Sequence, residues 1–344
     1  MRDDLKAAHP DRRTFLRSAA LTALGGFVVA HPRSRRGIAA PAVPQLKRPL
    51  TPQVFKQNLA GPILSLPTTF HRDLSVNLNA VHQMIGRARR YGIPVFELTA
   101  GNSKYARLSY DEIKQVTRAM VEAAEQQGLT IAATGAWPTE QVIDYAQYCE
   151  SLGADALQIL LPDGVEGEDD LFHHFDRIAK ATRLPLVLHG NYSESLVRRL
   201  VEIDAIVAMK EDGALTYYID RAIEFGDRLE IFSGGAENRY LVGYPYGSRA
   251  FFATYSGFAP DIPMKFWAAI RTGDLAQAVA INKRYDHPFI KRFTHPFWHA
   301  TLEYFGVATR YMRQPFETYT DEQMRDVAEF FDGQGLDPAD YADA

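Results

Sequence analysis

Lys210 closes the run Ala205-Ile206-Val207-Ala208-Met209, an almost wholly apolar stretch of buried-strand type. An amine there sits at the edge of a low-dielectric interior. Burial disfavours the ammonium, and the free amine that results attacks carbonyl carbon. In the competing arrangement the same side chain snorkels to solvent and pairs with Glu211 or Asp212. Other polar residues also close apolar runs: Thr68 and Thr69, the stretch Thr99 to Ser103 with Gly101 and Asn102 in it, Gly135, His189 and Ser256. Histidines elsewhere have simpler readings. His173 and His174 precede Phe175 in a helical segment and belong to packing or surface. His295 and His299 have the i, i+4 spacing of a metal pair, but Pro296 disfavours one regular helix through both. No metal is expected.

Eight short runs rich in Val, Ile, Leu and Phe supply these ends: 61–70, 95–99, 130–137, 156–162, 184–190, 205–211, 230–235 and 249–258. Their spacing of roughly 20–35 residues is that of a strand–helix unit. Amphipathic segments lie between them. Residues 76–90 put Leu78, Val81, Ile85 and Ala88 on one face, and 110–127 do the same with Ile113, Val116, Met120 and Ala123. Segments 140–152 and 171–181 follow the helical period too. Ser109 with Glu112 makes a capping box, and Thr139 with Glu140 and Gln141 is expected to start the next helix similarly. Gly128 and Gly153 fall just past helix ends, where a left-handed residue is needed. Eight consecutive units close into a parallel (β/α)8 barrel of the TIM type, whose chemistry gathers at the C-terminal ends of its strands. An open doubly wound sheet is the competitor, but no Gly-x-Gly-x-x-Gly follows the first strand. Helical stretches at 263–292, 299–311 and 321–331 form a C-terminal extension packed on the barrel. The fold class is therefore α/β, with one domain over 43–344 and C-terminal helices from about 263.

The 344 residues are 46% hydrophobic and 23% charged, with a net charge of −4. That balance excludes a disordered, collagen-like or coiled-coil chain. The single cysteine, Cys149, excludes an internal disulfide, a multi-cysteine zinc site and an iron–sulfur cluster. The acidic balance argues against a nucleic-acid partner. Residues 1–42 read as targeting. Arg12-Arg13-Thr14-Phe15-Leu16 precedes an apolar stretch from Ala19 to Ala30, the order of a twin-arginine export signal and too short for an ordinary spanning helix. Ala40-Pro41-Ala42 offers a cleavage site. This segment carries eight Lys/Arg against three Asp/Glu, which leaves the rest near −9. The expected location is periplasmic or otherwise extracytoplasmic, with no stable membrane insertion after export.

Several segments together resemble the dihydrodipicolinate synthase and N-acetylneuraminate lyase family of class I, Schiff-base aldolases. Ile206-Val207-Ala208-Met209-Lys210-Glu211 is similar to the family's sixth strand, which ends in the imine-forming lysine. Leu64-Ser65-Leu66-Pro67-Thr68-Thr69-Phe70 resembles its first strand, usually ending Thr-Pro-Phe. Gly153-Ala154-Asp155-Ala156 with Pro162 and His174-Phe175 resembles its fourth unit, and Leu184–Leu188 its fifth strand. Ser233-Gly234-Gly235, Ser256-Gly257-Phe258-Ala259-Pro260 and Arg310 to Pro315 resemble its later segments. The likeness spans roughly 61–331. Two departures fall in the site. Where members carry Gly-Thr-Thr-Gly-Glu, whose N–H and hydroxyl groups hold the substrate carboxylate, this chain has Ala100-Gly101-Asn102-Ser103-Lys104-Tyr105, so a lysine replaces the glutamate. Where members carry a proton-relaying tyrosine, this chain has His189, with Tyr192 three residues on.

The resemblance implies that Lys210 condenses with the keto carbon of a 2-oxo acid, such as pyruvate or a keto-deoxy sugar acid. It implies an aldolase or dehydratase that needs no cofactor. His189 is then the expected proton relay, and its cation would help keep Lys210 unprotonated. Its alternative is a structural hydrogen bond in the barrel mouth. Thr68, Thr69, Gly101, Asn102, Ser103 and Ser256 are the expected substrate contacts, against the alternative of an ordinary polar loop. A homotetramer or homodimer is implied too. Two other readings stand beside this one. A non-catalytic periplasmic ligand-binding barrel would have kept the pocket and lost turnover. A hydrolase or isomerase would use His189 with Glu97, Glu211 or Asp212.

Overall fold

A pleated strand turns alternate side chains to opposite faces, so a parallel strand wrapped by helices buries both. The computed structural model describes residues 46–342 and contains eight such strands. They are β1 Gly61–Ser65, β2 Val95–Glu97, β3 Leu129–Ala133, β4 Ala156–Leu160, β5 Leu186–His189, β6 Ile206–Glu211, β7 Glu230–Ser233 and β8 Ala250–Phe252. Each pairs in parallel with the next, and β8 closes on β1. The expected eight-stranded barrel is thus the observed one, with shorter strands. Ile63, Val95, Ile131, Ala156, Val187, Ala208, Phe232 and Ala250 meet in one inner cluster. Leu64, Phe96, Ala132, Leu157, Leu188, Met209, Ile231 and Phe251 belong to the outer cluster shared with the helices. The helix Pro52–Asn58 adds Phe55 to the inner cluster. Arg249, just ahead of β8, donates to the Lys56 and Gln57 carbonyls, which places that helix under the N-terminal end of the barrel.

The inner face changes character along each strand. Two residues beyond an inward apolar side chain, the same face carries Ser65 on β1, Glu97 on β2, Gln158 on β4, His189 on β5 and Lys210 on β6. Apolar packing fills the lower barrel, and polar groups gather at the C-terminal mouth.

Most caps follow the sequence. Ser109 and Glu112 form the capping box of the helix Tyr110–Ala124, and Gly153 is left-handed after Thr139–Leu152. Three expectations are corrected. Pro138 takes the cap position of Thr139–Leu152 with no side-chain cap bond; Thr139 is the first helical residue, and its hydroxyl pairs with His174 Nδ1 at 2.9 Å. Glu125, not Gly128, takes the left-handed position after Tyr110–Ala124. One helix, His295–Tyr304, does carry both His295 and His299. Pro296 lies in its first turn, where no intrahelical N–H is required. The twin-arginine segment and its cleavage site lie outside the described residues.

Four helices follow the outer ring: Leu275–Arg284, Asp286–Arg292, His295–Tyr304 and Asp321–Gln334. The last three hold together through aromatic packing among Phe289, Phe297, Phe305 and Phe331, and the first is tied to the last by Arg284, which donates to the Gln334 carbonyl at 2.9 Å. Asp286 ties them to the barrel, accepting from the Glu237 backbone N–H at 3.0 Å and from Asn282 Nδ2 at 3.2 Å. Burial raises the Asp286 carboxyl, and the neighbouring Glu237 carboxyl is raised with it by burial and by the Asp286 charge. The folded state therefore keeps a proton that the unfolded chain releases near pH 4. This contribution to stability is full below pH 4 and is lost as pH rises through the raised folded value. Asp286→Asn keeps the acceptor and cannot titrate, so its melting temperature should fall less than the wild type's between pH 4 and 7. Parallel curves across that window would remove Asp286 as the titrating group.

Candidate active site

His189 and Lys210 both point inward by the alternation of their own strands, and they stand level because of the register between β5 and β6. The pairing slips between Leu186 and Val187, from Leu186 opposite Ile206 to Val187 opposite Ala208. His189 therefore stands opposite Lys210; without the slip it would face Met209, whose side chain packs outward. Lys210 Nζ lies 3.1 Å from His189 Nε2 and also pairs with Asp212 Oδ2. Asp212 Oδ2 is 2.8 Å from His189 Nε2, so amine, imidazole and carboxylate form a closed triangle. The Phe252 ring lies under the amine, with its centroid at 4.8 Å. Lys210 is 4% exposed, while the Asp212 side chain is 46% exposed at the outer edge. Sequence reasoning set the ion pair and the inward amine against each other; the structure has both.

The charges follow from this packing. Burial would raise the Asp212 carboxyl, but the His189 hydrogen bond and the Lys210 charge outweigh it and hold it below the usual carboxylate range. Burial lowers His189; Asp212 opposes this and Lys210 reinforces it, leaving the imidazole below its ordinary value. The ring is thus neutral near pH 7, not the expected cation, and is able to accept a proton. Tyr192 does not enter the site. Its hydroxyl donates to the His189 carbonyl at 3.2 Å and supports the backbone there.

A cavity of about 390 Å3 opens above the triangle. Ser65, Thr99, Gly101, Asn102 and Thr254 line it beside Lys210, His189 and Asp212. Asn102 Nδ2 donates to Ser65 Oγ at 2.8 Å, which fixes the amide against the β1 end. The opposite wall is Ile290, Phe293 and Trp298, from the C-terminal extension. The remaining sequence candidates lie off the wall. Ser103 is fully buried; its hydroxyl donates to the Leu66 carbonyl at 2.6 Å and accepts from the Thr99 N–H at 3.0 Å, stitching two loops together. The hydroxyls of Thr68, Thr69 and Ser256 are buried without a hydrogen-bond partner among the described residues. Lys104 brings no charge to the cavity wall. Its Nζ is buried between the Asn102 carbonyl at 3.0 Å and His295 Nδ1 at 2.7 Å, and burial lowers it to about 7. Glu97 and Glu211, buried with both carboxylate oxygens unpaired among the described residues, do not line the cavity either. Burial raises both, Glu211 to about 8.

Sequence reasoning missed Ser65, Thr254 and the three-residue far wall. Ser65 was within reach, two residues beyond the inward Ile63. The far wall carries no local signal, since it comes from a segment some eighty residues past Lys210.

Gly234 belongs to the same construction. A Cβ built there would lie 1.6 Å from Asp212 Oδ1 and 3.1 Å from Lys210 Nζ. Gly234→Ala should displace the Asp212 carboxylate and lower kcat by about a hundredfold, the scale of a misplaced catalytic group. Circular dichroism should stay native, because the conflict falls on one side chain. Unchanged kcat would show that the triangle tolerates the shift.

The family model of the dihydrodipicolinate synthetase family matches residues 58–332. Among curated proteins, "Probable 5-dehydro-4-deoxyglucarate dehydratase 2" of Streptomyces coelicolor is 26% identical over 247 residues, 69% of this chain and 76% of that one. The 4-hydroxy-tetrahydrodipicolinate synthase of Chlorobium limicola is 26% identical over 293 residues, 81% of this chain and 98% of that one. Two solved structures share the fold. Dihydrodipicolinate synthase from Bacillus clausii has a TM-score of 0.73 at 20% identity, covering 82% of this chain and all of its own. N-acetylneuraminate lyase from Mycoplasma synoviae has a TM-score of 0.71 at 18% identity, covering 81% and 99%.

Proposed function

Because the chain belongs to the dihydrodipicolinate synthetase family, we propose that it is a lysine-imine lyase acting on a 2-oxo acid, as an aldolase or a dehydratase. The observation that carries this reading is the Lys210 amine, which lines the cavity with an imidazole and a carboxylate on it. Lys210 starts as an ammonium. In the tautomer that carries its proton on Nδ1, His189 Nε2 faces the Lys210 amine as an acceptor. It takes one proton from the amine, whose lone pair forms a C–N bond to the keto carbon, and hands that proton to the departing hydroxyl. Two of the three ammonium protons leave with the carbonyl oxygen as water. The iminium keeps the positive charge beside Asp212, which stabilises it as a counter-ion. The iminium then draws electrons from the neighbouring carbon, so a carbon–carbon bond breaks or forms, or a hydroxyl leaves. Asn102, Ser65, Thr99 and the Gly101 backbone supply the contacts for the substrate carboxylate. A barrel that only binds would have no use for a base at 3.1 Å from the amine.

Borohydride added with pyruvate should trap a reduced adduct on the peptide containing Lys210. An unmodified intact mass under those conditions would count against the imine.

Arg12 to Leu16 with the apolar stretch behind it supports export of the folded enzyme by the twin-arginine route. A fusion of residues 1–42 to a reporter should reach the extracytoplasmic fraction, and Arg12→Lys with Arg13→Lys should hold it in the cytoplasm. Export that survives both changes would oppose this reading. A homodimer or homotetramer is the expected assembly, and light scattering at the mass of one chain would rule it out.

A further inference from the structure

The cavity has two unlike ends. All its charged and titratable lining groups, Lys210, His189 and Asp212, sit together at the barrel end. The far wall is Ile290, Phe293 and Trp298. Phe293 and Trp298 lean on each other with ring centroids 5.6 Å apart and planes at 49°. Lys104, the nearest basic side chain in the β2 loop, is turned away and held by His295 and the Asn102 carbonyl. A second carboxylate on a substrate would therefore find no cation on the far wall. A run of hydroxyls would find one polar partner there, the Trp298 indole N–H, which is buried without a hydrogen-bond partner among the described residues, and would otherwise be buried against carbon, which is costly. An aryl or alkyl group would instead find the offset or edge contacts that aromatic side chains prefer.

We infer that the substrate is a 2-oxo acid whose chain ends in an apolar, ring-bearing group, selected by Ile290, Phe293 and Trp298. This rests on the lysine-imine reading for its chemistry and on the far wall for its specificity. The C-terminal extension thereby sets what the barrel acts upon. All three selecting residues come from one short stretch of it, so the preference can change without disturbing the triangle at Lys210.

The test compares binding of 2-oxo-4-phenylbutanoate with that of 2-oxoglutarate by calorimetry on the full-length protein. The phenyl acid should bind at least about tenfold more tightly, the scale of a filled apolar pocket. Phe293→Ala should shrink that ratio. Ile290→Lys, which puts a cation on the far wall, should swing it towards 2-oxoglutarate. Phe293 and Ile290 are only partly buried, so both variants should fold, and circular dichroism checks this. Equal or tighter binding of 2-oxoglutarate to the wild type would overturn the inference, as would a ratio that neither variant moves. Borohydride trapping with pyruvate separates the two layers. A trapped adduct with a preference for the diacid leaves the imine standing and removes the apolar specificity. A phenyl preference with no adduct does the reverse.

Discussion

Lys210→Met should form no borohydride-trapped pyruvate adduct and should lose turnover by about a millionfold, the scale seen when a covalent nucleophile is removed. Methionine keeps the unbranched chain and its packing over Phe252, where Lys210 Nζ lies 4.8 Å from the ring centroid. What it removes is the amine alone. The Asp212 carboxylate left behind retains its hydrogen bond to His189 at 2.8 Å and is partly open to solvent, so the fold should hold. Unchanged far-ultraviolet circular dichroism with abolished trapping is the expected pair of results. Residual activity within tenfold of the wild type would transfer the chemistry to the acid–base reading, with His189 and Asp212 as its agents.

Asp212→Asn separates the roles inside the triangle. The iminium loses its counter-ion, and kcat should fall by about a hundredfold or more. The pH profile carries the sharper signal. In the wild type, burial and the Lys210 charge lower His189, and the Asp212 hydrogen bond and charge oppose them. Removing the carboxylate removes the raising influence, so the His189 value falls further. The acid limb of kcat against pH, where His189 becomes protonated, should therefore move to lower pH in the variant. A limb that stays in place or moves up would break the link between Asp212 and the proton relay. Trapping should still occur in this variant, more slowly, because the amine remains.

Much of this molecule is legible in its one-dimensional pattern. Eight apolar runs at the spacing of strand–helix units specify a barrel, because each run must bury two faces and each amphipathic segment one. The period of two then fixes direction. If Ala208 faces inward, so does Lys210; if Val187 does, so does His189. The lysine and the histidine could be named for that reason, and the capping box at Ser109 and Glu112 is local chemistry readable from four residues. Loop contacts were less legible. Ser103 and Asn102 are neighbours of similar polarity, yet one stitches the loops and the other lines the cavity. That choice depends on where the Leu66 carbonyl lies, which no residue near Ser103 encodes.

Three things were decided only in three dimensions. The slip between Leu186 and Val187 sets His189 level with Lys210, and strand register depends on packing across the whole sheet rather than on either strand alone. The Asp212 carboxylate reaches the amine because Gly234, on a different strand connection, leaves space where any Cβ would collide. The far wall of the cavity comes from a helical extension whose sequence reads as ordinary packing, and only its docking on the barrel mouth turns Ile290, Phe293 and Trp298 towards the substrate space. Periodicity and residue type are local quantities, and they determine the barrel and its inward residues. Distances between groups far apart in the chain are set by the balance of all contacts at once, and the arrangement of the site belongs to that balance.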